Sequence, residues 1–369
     1  MMRFSQSVPR FALLQSLEAK RFAHDISFNP LKEKITIRAG AGGRSSNNGK
    51  IATVFGCTGS LGRYVVSKLA RQGTQVVVPY RGEEDAKRHL KVMGDLGQVV
   101  PMEFDLRNYE QVVECVRHSD LVVNLIGRFW ETRNFTMDDV HNKGAATIAR
   151  ACRESGVDRL IHFSALNADE QSPSHFYASK ARGEISVKTE FPEATIVRPA
   201  TIYGPEDYFL NRIGITKHFH YIVNNGKRTL YPVNSQDVAV AVDVITQEPF
   251  AYNGKVFELA GPDLLQYTEI IEMCSEILKE DIRTINLPVP VLTLMAKVFK
   301  LYPYRVLRPE EVPLMLINDK LHENTLKFSD LGITPQSLEH CILTMMRMFR
   351  TNVFYELGYD NDVPRNAKP

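Results

Sequence analysis

Three glycines in the stretch GCTGSLG, at positions 56, 59 and 62, have the spacing that brings a main chain against a pyrophosphate. Gly56 permits a tight turn, Gly59 lets the backbone approach phosphate oxygens, and Gly62 lets the next helix pack closely on its strand. The anion then rests on amides around Thr58, Ser60 and Leu61, which open the helix without intrahelical partners. A second stretch, SHFYASKARGE, holds Tyr177 and Lys180, residue types that move protons. The side chain one helical turn before Lys180 is Phe176. Neighbouring helical residues diverge by about 100°, so the Tyr177 hydroxyl leaves the Lys180 face unless a local bulge realigns it.

The elements around these residues alternate regularly. KIATVF is a β-branched buried strand, SLGRYVVSKLARQG a helix stopped by Gly73, and TQVVVPY a second strand. QVVPMEF and DLVVNLIG follow as strands separated by the helical NYEQVVECVRH. DDVHNKGAATIARACRESG is then a helix and VDRLIHFSA a fifth strand. This alternation predicts an α/β, doubly wound parallel sheet of the Rossmann type, with a smaller interleaved C-terminal α/β region. A glycine triplet that ends a strand and opens a helix inside such a unit points to a dinucleotide rather than to a structural turn.

Other positions refine that site. Arg81 stands where the second strand exits, and a guanidinium there matches the 2′-phosphate of NADP. A strand ending two residues later hands the position to Glu83 or Glu84 and favours NAD. Asp105 and Leu106 edge the adenine, or Asp105 caps the next helix. Leu125, Ile126 and Gly127 follow the fourth strand and bring the chain close to the ribose.

Composition narrows the class. The 369-residue chain carries a net charge of +2, too little for a concentrated nucleic-acid-binding face. Five cysteines show no CxxC pair, and His218 and His220 have no further ligands nearby, so no metal site is expected. No apolar run is long enough to span a membrane. The N-terminal MMRFSQSVPRFALLQSLEAKRFAHD is basic, amphipathic and poor in acids, which fits a mitochondrial transit peptide over residues 1–23 or a basic tail. Residues 24–49, rich in Gly, Ser and Asn towards RAGAGGRSSNNGK, are expected to form an irregular arm. A nucleotide-binding domain follows over 50–205, and a C-terminal region over 206–369, of which about 234–262 returns to the main sheet.

In order and spacing, GCTGSLG, FDL, NLIG, HFSALNA, SKARGE and VRPATIYGPED resemble the extended and atypical short-chain dehydrogenase/reductases. GGRSSNNGKIATVFGCTGSLGRYVV, YRGEEDAKRHLKVMGDLGQ, VNLIGRFWETRNF and FPEATIVRPATIYGPEDYFLNR are similar to a narrower family, the nucleotide-binding accessory subunits of mitochondrial respiratory complex I. The resemblance covers about residues 42–212 with high specificity and runs more loosely through GKVFELAGP. It implies a noncatalytic subunit that holds NADPH tightly, on the matrix side of the inner membrane. Its partners would be other complex I subunits near the junction of the two arms.

In active members of the wider family a tyrosine four residues before a lysine exchanges the substrate proton, the lysine holds the ribose, and a serine orients the substrate oxygen. Here Ser164 and Lys180 match the last two, while Phe176 occupies the tyrosine position, so no catalytic residue is assigned. The alternatives are an active NADPH-dependent reductase or epimerase on a carbonyl, sugar-nucleotide or lipid substrate, or a redox sensor. Pro199, Ala200 and Ile202 in RPATIYGP are either walls of the nicotinamide pocket or ordinary core. SQDVAVAVDVI reads as a helix with Ser235 near its cap, and GKVFELAG as a strand. In the apolar segment 287–319, Val291, Leu294, Met295, Val298 and Phe299 form a helical stripe flanked by Lys297 and Lys300. It faces either the core or a membrane interface or hydrophobic partner.

Overall fold

The computed structural model describes residues 25–29, 34–40, 45–248, 251–299 and 307–350. The transit-peptide segment 1–23 lies outside them. Within the arm expected to be irregular, β1 (Asp25–Asn29) and β2 (Lys34–Arg38) pair as an antiparallel hairpin. The three consecutive β-branched residues of KITIR, Ile35, Thr36 and Ile37, account for that departure. The glycine-rich end of the arm is also held: Ala39 and Asn47 exchange backbone hydrogen bonds of 2.9 and 2.8 Å, and the Asn48 amide nitrogen donates to Thr74 Oγ1 at 2.8 Å.

The main sheet then builds up. β3 (Ile51–Phe55), α1 (Ser60–Arg71), β4 (Gln75–Tyr80), α2 (Asp85–Lys91), β5 (Val99–Glu103), α3 (Tyr109–Val116) and β6 (Leu121–Asn124) form the first half. A π-helical turn, Asp139–Lys143, leads into α4 (Gly144–Glu154), followed by β7 (Arg159–Phe163), α5 (His175–Glu190) and β8 (Thr195–Pro199). β9 (Ile202–Tyr203), α6 (Phe209–Ile215), β10 (His220–Ile222), β11 (Thr229–Leu230) and β12 (Val233–Asn234) carry the chain out; α7 (Ser235–Gln247) and β13 (Val256–Leu259) bring it back. The seven strands pair in parallel in the order β13-β8-β7-β6-β3-β4-β5.

Each face of the sheet is covered. On one side Val65, Val66 and Leu69 of α1 meet Val238, Val242 and Ile245 of α7; on the other Val112 and Val116 of α3, Ile148 of α4 and Val187 of α5 fill the layer. These side chains are buried on both faces, which is why their strands read as apolar runs rather than alternating ones. Emptying one such position, as in Leu69→Ala, costs about 2–5 kcal/mol. The cap of α7 is Asn234, whose side chain accepts from Gln236 N, and Ser235 follows it as the first helical residue, near the cap as expected.

A further core joins Tyr203, Leu210 and Ile213 to Ile270 and Cys274 of α8 (Tyr267–Leu278) and to Ile342 and Met346 of Leu338–Met346. The helix α9 (Val289–Phe299) inserts Leu292 and Ala296 against Val223, Leu307 and Val312. Much of the stripe noted in the sequence lies elsewhere on that helix: Val291, Leu294 and Val298 are 44%, 66% and 52% exposed. Met295 is half-buried and Phe299 packs on that cluster, so the stripe is divided between core and surface. Among the described residues no helix is long and apolar enough to cross a membrane.

Candidate functional site

The turn after β3 is shaped by close approach. Gly56 has φ +77°, and a β-carbon there would lie 2.9 Å from the Leu125 carbonyl carbon. At Gly62 it would lie 2.4 Å from Gly56 O and 2.6 Å from Cys57 Cα, so this glycine lets the helix close on its own loop rather than on the sheet. At Gly59 a β-carbon would meet a single atom within 4 Å, Gly56 O at 3.3 Å, and the residue is otherwise exposed. Gly59 is the extended N-cap of α1 and offers no capping side chain, so the amides that open this helix stay available to an anion.

Gly56, Gly59, Ser60, Leu61 and Gly62 line one cavity of about 380 Å³ together with Leu125, Gly127, Ser164, Lys180, Pro199, Ala200 and Ile202. Ala200 and Ile202 also pack against the core beneath, so they serve as wall and core at once. Thr58, Arg81, Asp105, Leu106 and Ile126 are not part of this lining. Thr58 is exposed, while Ile126 and Leu106 pack into the α3–α4 layer.

Arg81 follows Tyr80, the last residue of β4, so the strand ends before the acidic pair. Its guanidinium lies 5.1 Å from the centre of the Phe135 ring, and that of Arg107 lies 5.3 Å from the same ring. Glu84 is turned to Lys87 at 2.8 Å. Asp105 pairs with Arg107 at 2.6 Å, which, helped by the Arg107 amide, holds its carboxyl down at about 2. It does not cap α3; Asn108 does, accepting from Glu110 N at 3.2 Å. Asp105 and Arg107 also line a shallow surface depression outside the main cavity.

The other end of the cleft is dominated by buried groups. Lys180 Nζ donates to Phe163 O at 2.9 Å, and burial pushes its pKa down to about 8, against a smaller upward pull from Glu184. Ser164 Oγ is buried in the cavity wall without a hydrogen-bond partner. His141 Nε2 accepts from Arg128 N at 3.0 Å, and its Nδ1 meets Ser179 Oγ at 2.8 Å. Because Ser179 gives its own proton to Phe176 O, His141 carries its proton on Nδ1. Burial first, and then the Lys180 charge, keep this ring neutral.

Phe176 and Tyr177 both reach the cavity, but in different company. Phe176 stacks on Phe129 with ring centroids 4.8 Å apart and meets His141 edge-on at 5.3 Å. Tyr177 is 7% exposed, with Asn167, Arg228 and Asp319 around its hydroxyl. Burial, opposed by Arg228, raises its pKa, so it stays a neutral phenol. It is thus turned off the Lys180 face, into the protein and not to the helix surface.

The cavity continues into the C-terminal half, where Tyr208, Arg212, Tyr221, Arg228, Glu311, Leu314 and Met315 line it. Arg212 Nη1 and Glu311 Oε2 pair at 3.1 Å, and Tyr208 donates to Glu311 at 2.9 Å. These residues come from five segments between Tyr208 and Leu316 with no local motif, which is why sequence reading missed them. Among the described residues no cluster of His, Cys, Asp and Glu could hold a metal. Cys57 and Cys152 are fully buried and held protonated by that burial.

A family model described as NAD(P)H-binding matches residues 56–248. The mitochondrial 40 kDa subunit of NADH-ubiquinone oxidoreductase from Neurospora crassa is 43% identical over 86% of this chain and 84% of its own length. The mitochondrial alpha subcomplex subunit 9 of NADH dehydrogenase [ubiquinone] 1 from Mus musculus is 40% identical over 85% of this chain and 84% of its own. Among solved structures, triphenylmethane reductase from Citrobacter sp., complexed with NADP(H), has a TM-score of 0.64 at 16% identity, over 80% of this chain and 99% of that one. That likeness concerns the fold alone. The model match and the two subunits establish that the chain belongs to the NAD(P)H-binding family that contains the 40 kDa subunit and the alpha subcomplex subunit 9 of mitochondrial NADH:ubiquinone oxidoreductase.

Proposed function

We propose that this chain is a noncatalytic accessory subunit of mitochondrial NADH:ubiquinone oxidoreductase, which holds NADPH as a structural group and supports assembly of the complex. The observation that carries the reading is the pairing of a complete cradle with a missing proton donor. The open amides beyond Gly59, the unpartnered Ser164 hydroxyl and the buried Lys180 ammonium suit a dinucleotide. When bound, NADPH is a hydride carrier. Phe176, one turn before Lys180, has no proton to give alongside a hydride, and the Tyr177 hydroxyl lies with Arg228 and Asn167 instead.

In this reading the pyrophosphate lies over Gly56–Gly62, with Thr58, Ser60 and Leu61 around it. The ribose lies near Leu125, Ile126, Gly127 and Lys180, and the nicotinamide near Pro199, Ala200 and Ile202. Arg81, joined by Arg107 across Phe135, takes the 2′-phosphate, so NADP is preferred to NAD. Asp105 and Leu106 edge the adenine. Occupancy stabilises the fold by RT ln(1+[L]/Kd), about 4 kcal/mol at a thousandfold excess over Kd.

Partner contacts follow from the exposed stripe Val291, Leu294 and Val298 beside Lys297. An apolar stripe flanked by cations suits a membrane interface or a hydrophobic neighbour. It supports peripheral placement of segment 287–319 on the matrix side of the inner membrane, near the junction of the arms.

Native purification from mitochondria followed by mass spectrometry tests the reading. One NADPH per chain, travelling with other subunits of the complex, is expected. Recovery of bound NADH, or of the chain free of both nucleotide and companions, would overturn it.

A further inference from the structure

The cavity is longer than the cleft just assigned to the dinucleotide. It runs past the Phe129–Phe176 stack into a chamber whose walls come from the C-terminal half. Its apolar surface is set by Leu314 and Met315, from the turn Pro313–Leu316, facing Tyr208 and Tyr221. Leu314 packs on the cluster of Met137, Ala165, Phe176 and Tyr177, and Met315 on the cluster of Val223 and Leu292. The lining is therefore continuous from the dinucleotide cleft to the base of α9.

Most ionised groups in that chamber are already engaged. Glu311 is held by Arg212 and Tyr208. Asp207 accepts from the amides of Leu210 and Asn211 at 3.0 and 3.1 Å. Asp319 accepts from Asn167 Nδ2 at 2.9 Å and from Tyr231 N at 3.1 Å. Arg228 is held more loosely: its Nε donates to Ile317 O at 2.7 Å, and its charge is felt by Asp319 in the same wall without a direct salt bridge among the described residues. Arg228 and Tyr177 both line the cavity, and the guanidinium acts on the Tyr177 hydroxyl together with Asn167 and Asp319. A guanidinium and a phenol converging at one end of an apolar chamber form a donor pair for an acceptor head.

We propose that this chamber is a second ligand site, which takes a single acyl chain ending in an anionic head, carboxylate or phosphate, with the head between Arg228 and Tyr177 and the chain along Leu314 and Met315. The proposal rests on the cofactor reading, because the dinucleotide would wall off the other end of the cavity. It also gives the displaced tyrosine a role. The hydroxyl that the helix turns away from Lys180 is carried into the chamber as a neutral donor.

The test uses the full chain purified with its nucleotide and stripped of lipid. Oleate, oleoyl lysophosphatidate and uncharged monoolein are titrated by calorimetry, and NADPH content is assayed in each sample. Saturable one-to-one binding of at least one of the two acids is expected, at least tenfold tighter than monoolein. Arg228→Met should weaken it tenfold or more, and Leu314→Trp should block the chain, both with NADPH retained. The tighter of the two acids identifies the head. Absence of saturable acid binding, equal affinity for monoolein, or unchanged affinity in a folded Arg228→Met would each overturn the proposal. Should Arg228→Met fail to fold, Leu314→Trp decides in its place. Wild-type protein found without nucleotide would count against the cofactor reading, while its acid titration still decides the second site.

Discussion

The Lys180 ammonium and the Gly127 backbone approach so closely that a β-carbon built on Gly127 would lie 3.1 Å from Nζ. A buried cation, held by Phe163 O, thus borders the strip of chain that passes the ribose position. Its burial has a consequence for pH. The pKa falls from the ordinary lysine value to about 8, so the unfolded chain binds more protons than the folded one between about pH 8 and pH 10.5. Stability of the nucleotide-free protein should therefore rise with pH across that window, by roughly 3 kcal/mol from this group, and be flat in this term below pH 8. Denaturant melts of wild type and Lys180→Met across the window isolate the term, which should vanish from the variant.

Gly59 and Gly62 should separate binding from folding. A side chain at Gly62 collides with Gly56 O and Cys57 Cα, so Gly62→Ala should destabilise the protein by about 3 kcal/mol. A side chain at Gly59 meets little within the protein and enters the cleft instead. Gly59→Val should fold, lose nucleotide, and melt at the temperature of stripped wild type. Thermal melts with and without added NADPH make the comparison.

How much of this could be read from sequence divides by range. β3, the glycine turn and α1 were readable because each signal is local: a β-branched run, a glycine triplet, an amphipathic period. Arg81 was placed correctly at the strand exit, yet its relation to Arg107 and Phe135 was not, since those residues join from later loops. The hairpin β1–β2 was hidden by the glycine-rich stretch beside it. The orientation of α9 stayed open in the sequence, because the stripe is shared: Leu292 and Ala296, with Phe299, pack inward, while Val291, Leu294 and Val298 stay exposed. The inner chamber assembles from distant segments and has no sequence signature.

Arg81 and Arg107 should set coenzyme preference. Removing a guanidinium that meets a phosphate costs about 1.5–3 kcal/mol, so Arg81→Ala should weaken NADPH binding roughly 10- to 100-fold and leave NADH binding nearly unchanged. Arg107→Ala should do the same more weakly, because Asp105 already engages that side chain. Competition titrations of stripped protein with each coenzyme give the ratio.

Tyr177 should be dispensable for holding NADPH. Its hydroxyl faces Arg228 and Asn167, not Lys180, so Tyr177→Phe should retain nucleotide at wild-type occupancy. Neither protein should oxidise NADPH with a panel of aldehydes, ketones and nucleotide sugars. Turnover in wild type that disappears in Tyr177→Phe would show a working active site.

Cells lacking this chain, complemented with wild type or with Gly59→Val, provide the most direct measurement. Blue-native electrophoresis reports the assembled oxidoreductase, and mass spectrometry of the chain reports its nucleotide. Loss of assembled complex in step with loss of NADPH, from a variant that folds when expressed alone, is the expected result. A full complement of active complex containing a nucleotide-free Gly59→Val chain would contradict a structural role for the coenzyme.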